Sequence, residues 1–178
     1  MDFLFIIEMD SLVSTYSEQP LVLTYHLNGK LRKYVPDFKI QRTAKARHQL
    51  IEVKPLEKVV KQVNKFKQVK KAAEAKGYEF HILTEIFIRQ EPRLSIIKYL
   101  HRYSTIQLRK ECLFETITFL RKLGGSSSLG LIRDHLVENG FTRQDLYKMV
   151  YDGVLQVGFS TPLAADSKVS LKPSFMKD

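Results

Sequence analysis

The sequence predicts an α/β fold, a mixed sheet flanked by helices, followed by a smaller helical unit that ends in a hairpin. Three observations carry that expectation. Asn28-Gly29 falls between two β-rich runs. A helical stripe of apolar residues over 57–76 separates two further strand-like runs. Near 90–93 the chain changes from alternating strands and helices to a set of short helices. The boundary divides it into 1–91 and 92–178.

Taken in order, residues 3–13 are apolar from Phe3 onward and read as a helix or the end of one, with Asp2 as its only candidate N-cap. The runs 21–27 and 31–40 are antiparallel strands, because Asn-Gly supplies the positive φ that a type I′ turn needs at both central positions. Pro36 puts an edge or a bulge into the second run. "RTAKARH" is a polar loop, and "QLIEVK", 49–54, is a third strand that Pro55 ends. Over 57–76, Val59, Val60, Val63, Phe66, Val69, Ala72 and Ala73 recur at helical spacing with lysines opposite. Gly77 supplies the C-cap. The run "YEFHILTE", 78–85, is then a fourth strand reached through a β-α-β crossover.

Beyond 92, "RLSIIKYLHRY" and "LRKECLFETITFLRKLG" are helical, "GGSSSLG" is a turn, and a short helix starts near Leu129. "FTRQDLYKMVYDG" opens on Thr142 as N-cap and closes on Gly153. "VLQVGF" and "KVSL" form the final hairpin. Helices followed by such a hairpin make a winged-helix-like pattern. The helix from Thr142 carries only Arg143 and Lys148 as bases against Asp145 and Asp152, which favours protein contact over phosphate binding.

The 178 residues carry a net charge of +10. Residues 30–76 hold fifteen Lys and Arg against four Asp and Glu, so this segment accounts for the whole excess. A polyanion, double-stranded DNA first, is the expected partner. Cys112 is the only cysteine, which excludes an internal disulfide and a four-cysteine metal site and suits a reducing, cytoplasmic setting. No run reaches the roughly 20 apolar residues needed to cross a bilayer, so no membrane association is expected.

Charge recurs inside two extended runs. Asp37 sits between Pro36 and Phe38, and Glu52 and Lys54 flank Val53. On a strand, residues two apart share a face, so Glu52 and Lys54 point together while Val53 turns into the core with its carbonyl still available. Two neighbouring carboxylates repel unless a cation lies between them, and hard cations such as Mg²⁺, with Mn²⁺ as substitute, take carboxylate and carbonyl oxygens. Asp37, Glu52 and Val53 are therefore the candidate metal ligands, and Asp37, Glu52 and Lys54 the candidate catalytic set for phosphodiester hydrolysis. An exposed, salt-bridged strand would show the same E-x-K. Arg42, Lys45 and Arg47 in the loop, with Lys58 beyond Pro55, are candidate DNA contacts. Gln62 and Lys65 are expected on a solvated helix face, and Glu18 outside the site.

"YSEQPLVLTYHLNGKLRKYVPDF", "IEVKP" and "YEFHILTEIFIR" resemble the TnsA endonuclease family of heteromeric transposases, over most of residues 2–90. The resemblance implies a restriction-endonuclease-like PD-(D/E)xK fold, with Asp37 as the metal-binding acid and Glu52 and Lys54 in the E-x-K positions. It implies cleavage of the 5′ ends of a transposon, beside a TnsB-like transposase and a TnsC-like ATPase regulator, with the protein on the nucleoid when assembled. The family also carries a catalytic Glu on its first helix. Aligning "MDFLFIIE" with that helix places this Glu just before Met1, so a start further upstream is expected, or else a weak nuclease. Two alternatives remain: a catalytically weak or non-catalytic DNA-binding or assembly subunit of the same fold, or a restriction- or repair-type nuclease.

Overall fold

The computed structural model describes residues 2–43 and 47–176. The chain divides into two units, residues 1–90 and 91–178. The first is built from α1 (Asp2–Met9), β1 (Val13–Glu18), β2 (Leu23–Leu27), β3 (Lys30–Tyr34), β4 (Phe38–Arg42), β5 (Gln49–Val53), α2 (Leu56–Lys61), α3 (Val63–Ala75), β6 (Glu79–Leu83) and α4 (Glu85–Ile88). Its sheet runs β1-β4-β5-β6. The β1/β4 and β4/β5 pairs are antiparallel and β5/β6 is parallel, so the sheet is mixed.

The hairpin forms where Asn-Gly predicts it. Asn28 and Gly29 have φ of 52° and 73°, and β2 pairs with β3 across them. The predicted single strand over 31–40, however, is two. Pro36 has no N–H to continue a ladder, so β3 stays with β2 in a separate two-stranded sheet and β4 joins the main sheet. β1 has no alternating pattern and was not expected. It is exposed along most of its length and is held by its ladder to β4. The predicted helix over 57–76 also breaks, at Gln62, whose φ of −121° and ψ of 23° leave the helical region. Val59, Val60 and Val63 crowd that turn, and β-branched side chains weaken helix continuity. Gly77, at φ 82°, closes α3, with the Gly77 and Tyr78 N–H groups donating to the Glu74 and Ala73 carbonyls.

Apolar residues cover both faces of the main sheet. Leu50 and Phe80 pack with Leu23, Tyr25, Tyr34, Phe66, Val69 and Ala73, which joins α3 and the hairpin to one face. Ile40 and Ile51 pack with Phe3, Ile7 and Ile88, which joins α1 and α4 to the other.

The second unit holds α5 (Arg93–His101), α6 (Lys110–Lys122), β7 (Ser126–Ser128), α7 (Leu129–Glu138), α8 (Arg143–Tyr151), β8 (Leu155–Val157) and β9 (Lys168–Leu171), ending in a 3₁₀ turn, Pro173–Phe175. Its three strands lie in the order β7-β9-β8, all antiparallel. Helix–strand–helix–helix–hairpin with that strand order is winged-helix-like. β7 escapes sequence reading because a Ser-Ser-Ser run carries no apolar alternation. α8 starts as Thr142 predicts, with a capping box to Asp145.

Asp145 is buried and accepts from the Thr142 N–H (2.9 Å), the Thr142 hydroxyl (2.8 Å) and Arg109 (3.2 Å). Burial alone would raise its carboxyl, but the Thr142 bonds and Arg109 outweigh it and hold the group below the usual range. Because the folded-state value is depressed, the stability this contributes is present above the unfolded value of about 4 and is lost as pH falls through the folded one. Asp145→Ala is expected to destabilise this unit by about 1–2 kcal/mol at pH 7, the loss of the capping box and of the Arg109 contact. Its penalty relative to the parent should shrink in thermal melts taken at progressively lower pH.

Candidate active site

β4 and β5 bring the candidate residues together through their register. Phe38 pairs with Ile51, and both side chains enter the α1–α4 core. By strand alternation Asp37 and Glu52 then leave on the opposite face, toward the hairpin and α3. Val53 packs on the α1–α4 side, as expected from the E-x-K spacing. Parallel pairing of Glu52 with Ile82 places β5 in the sheet interior.

The polar geometry is closed on itself. Asp37 Oδ2 accepts the Val53 N–H at 2.7 Å. Glu52 is 2% exposed, and its Oε1 lies 2.6 Å from the Lys54 ammonium, which is 29% exposed. Glu52 Oε2 is buried with no hydrogen-bond partner among the described residues. The Tyr34 hydroxyl lies against Glu52 yet makes no bond of ordinary geometry with it. Burial, then Glu52, then Asp37 hold the Tyr34 phenol far above its usual value, so it stays protonated. Both carboxylates therefore face Tyr34.

α3 closes the site, which the sequence reading did not expect. Lys65 is half-buried rather than solvated. Its ammonium donates to Gln62 Oε1 at 3.2 Å and stands 4.8 Å from the centre of the Tyr34 ring. Burial lowers its basicity first, Lys54 lowers it further, and Glu52 works the other way. Helical periodicity gave no sign of this. The usable signal was the clash between the valine-rich turn and a continuous helix, because the break at Gln62 sets where this turn of α3 points.

The remaining candidates are divided between the two ends of β4 and β5. Arg42 is at the far end of β4, about 10 Å or more along the strands from Glu52, and is engaged with Asp10 (2.6 Å) and Gln49 (3.0 Å). Arg47 is exposed at that same far end, and Lys45 lies outside the described residues. Arg42 and Arg47 thus do not adjoin the carboxylates. Lys58 is exposed on the first turn of α2, at the site end of β5. Glu18 is exposed at the end of β1. Asp2 pairs with Arg89 at 3.2 Å, and both line a cavity of about 570 Å³ with Phe3, Phe38, Val53 and Lys54. In the second unit α8 has little free surface. Tyr147 is packed between Tyr99 and Tyr103, and Lys148 is held by the Ser104 carbonyl and Asp152, both at 2.8 Å.

Among the described residues, no group of three or more His, Cys, Asp or Glu is placed to hold a metal. Asp37 and Glu52 each have one oxygen already engaged. Their other two oxygens are a donor set that fits a hard cation only as a weak site completed by water, since such ions want six or more oxygens. The orphaned Glu52 Oε2 is the part that fits best, because an unpaired buried carboxylate oxygen is costly without a cation.

Residues 10–85 match the family described as TnsA-like endonuclease, N-terminal. The match takes in Asp37, Glu52, Lys54 and Lys65 and leaves out α1 and the second unit. No curated protein matches the chain. Among the described residues no helix is long and apolar enough to cross a membrane.

Proposed function

We propose that this chain is a DNA-binding subunit of TnsA-like, restriction-endonuclease-like type whose two-carboxylate site cleaves weakly or not at all. One observation carries this reading: the lysine of the E-x-K already neutralises its glutamate. A divalent cation must displace Lys54 from Glu52 Oε1, or bind at Oε2 beside it, and among the described residues Asp37 is the one further carboxylate placed to share it. On this reading the protein serves cut-and-paste transposition on double-stranded transposon ends, beside a TnsB-like transposase and a TnsC-like ATPase regulator. The second unit, with α8 packed under tyrosines, contributes protein contacts.

Mg²⁺ or Mn²⁺, when bound, would acidify a water and draw charge from a phosphate oxygen. The chain's own residues do the rest. Asp37 and Glu52, with the Val53 carbonyl, would hold the ion. Lys54, once released from Glu52, would be an ammonium free to meet a phosphate oxygen, and protonated Tyr34 lies beside Glu52. A second reading, an endonuclease that nicks the 5′ ends efficiently, is favoured by the unpartnered Glu52 Oε2.

Gel-shift titration of a duplex transposon end without metal, with nicking of the same DNA in Mg²⁺ and in Mn²⁺, separates these readings. Metal-independent binding with slow, Mn²⁺-dependent nicking is expected. Rapid nicking in Mg²⁺ establishes the second reading, and absence of DNA binding rejects both.

A further inference from the structure

We propose that Lys65, oriented by Gln62, is a phosphate-binding residue of this site, contacting the DNA backbone beside Asp37, Glu52 and Lys54. The proposal rests on the reading of the site as a DNA-binding one. Lys65 differs from the other lysines of α3. Lys67, Lys70 and Lys71 are exposed, and Lys70 lies 3.9 Å from Glu74. Lys65 is half-buried and makes no ion pair among the described residues. Its ammonium rests against the rings of Tyr34 and Phe66, 4.8 and 5.4 Å from their centres, and Gln62 Oε1 uses one of its three N–H donors.

A cation partly removed from water is costly unless an anion meets it. Lys54 repels it, and Glu52, the carboxylate that attracts it, is already taken at one oxygen by that lysine. Beyond the bond to Gln62 and the two rings, the ammonium keeps donors that an anion can accept. The charge count agrees. Asp37 and Glu52 balance Lys54 and Lys65, so a divalent cation on the carboxylates leaves two positive charges facing outward. A phosphodiester under attack becomes a dianion, and without Lys65 half of that balancing charge is absent.

The competing role is a strut, in which the Lys65 stem merely packs on Tyr34 and Phe66. Lys65→Met keeps the stem and removes the charge, and Lys65→Arg keeps the charge. The affinity of each full-length chain for a duplex is measured from 50 to 200 mM salt, alongside its melting temperature. Lys65→Met is expected to weaken binding several-fold and to flatten the slope of log K against log salt by about one phosphate contact, with little change in melting. Lys65→Arg should keep the parent slope. An unchanged slope with lowered melting in Lys65→Met overturns the proposal and leaves the strut. If the parent chain binds no duplex, the DNA reading itself fails. Inorganic phosphate titrated against the lysine side-chain NMR signals then decides alone: a saturable shift of the Lys65 signal upholds the anion site, and no shift rejects it.

Discussion

Asp37→Asn is expected to take the slow Mn²⁺-supported nicking down to background, a loss of about 10²–10³-fold where the parent signal allows it to be read. Losing a ligand that holds the ion removes on the order of 3–4 kcal/mol of transition-state stabilisation, and each 1.4 kcal/mol is tenfold. Folding should hardly respond, because the asparagine oxygen can still accept the Val53 N–H that Asp37 Oδ2 accepts at 2.7 Å. Metal-free melting should therefore match the parent, while the rise in melting temperature on adding Mn²⁺ should vanish. Asp37→Ala is the harsher change, leaving that N–H unpaired at a cost of about 1 kcal/mol. Parent-like nicking by Asp37→Asn would show that the cation is held elsewhere.

Lys54→Met should be the most destabilising single change in the site. Glu52 is 2% exposed, and Lys54 is its ion-pair partner. Removing one member of a buried pair typically costs 3–5 kcal/mol. Lys54 is partly hydrated, so about 2–3 kcal/mol is expected here. The double variant Lys54→Met/Glu52→Leu should regain most of it, since the stranded charge goes too. Because Lys54 and a cation compete for Glu52, Mn²⁺ should raise the melting temperature of Lys54→Met more than that of the parent. Equal Mn²⁺ shifts in the two proteins would show that the ion does not compete with Lys54 for Glu52 Oε1.

Much of this was legible in the sequence where one residue type dictates one backbone geometry. Asn28-Gly29 fixes the hairpin, Gly77 closes α3, and Thr142 caps α8. Two-residue spacing put Glu52 and Lys54 on one face and Val53 on the other. What stayed hidden depends on tertiary pairing. β1 has no periodicity of its own and exists through its ladder to β4. Pro36 marks an edge or a bulge in the run 31–40, but not that the run divides there or which sheet each half joins. The burial of Lys65 is invisible to a pattern that counts lysines as solvated. Arg42 and Arg47, in the loop 42–47 that joins the two strands, lie away from the carboxylates because an antiparallel pair puts the last residue of one strand and the first of the next at the opposite end from Asp37 and Glu52.

The parallel ladder of β5 on β6 has a kinetic consequence. The β2–β3 hairpin closes across a two-residue turn, but Glu52 meets Ile82 only after 29 intervening residues are gathered in. Contacts that distant in sequence carry a larger loop-closure cost and tend to form late. Until that ladder zips, Glu52 stays hydrated and α3 has no complete sheet to sit on. The paired carboxylates and the half-buried Lys65 thus come together only at the last stage of assembly. A partly folded or newly made chain can carry every residue of the site and still have no means of engaging DNA through it.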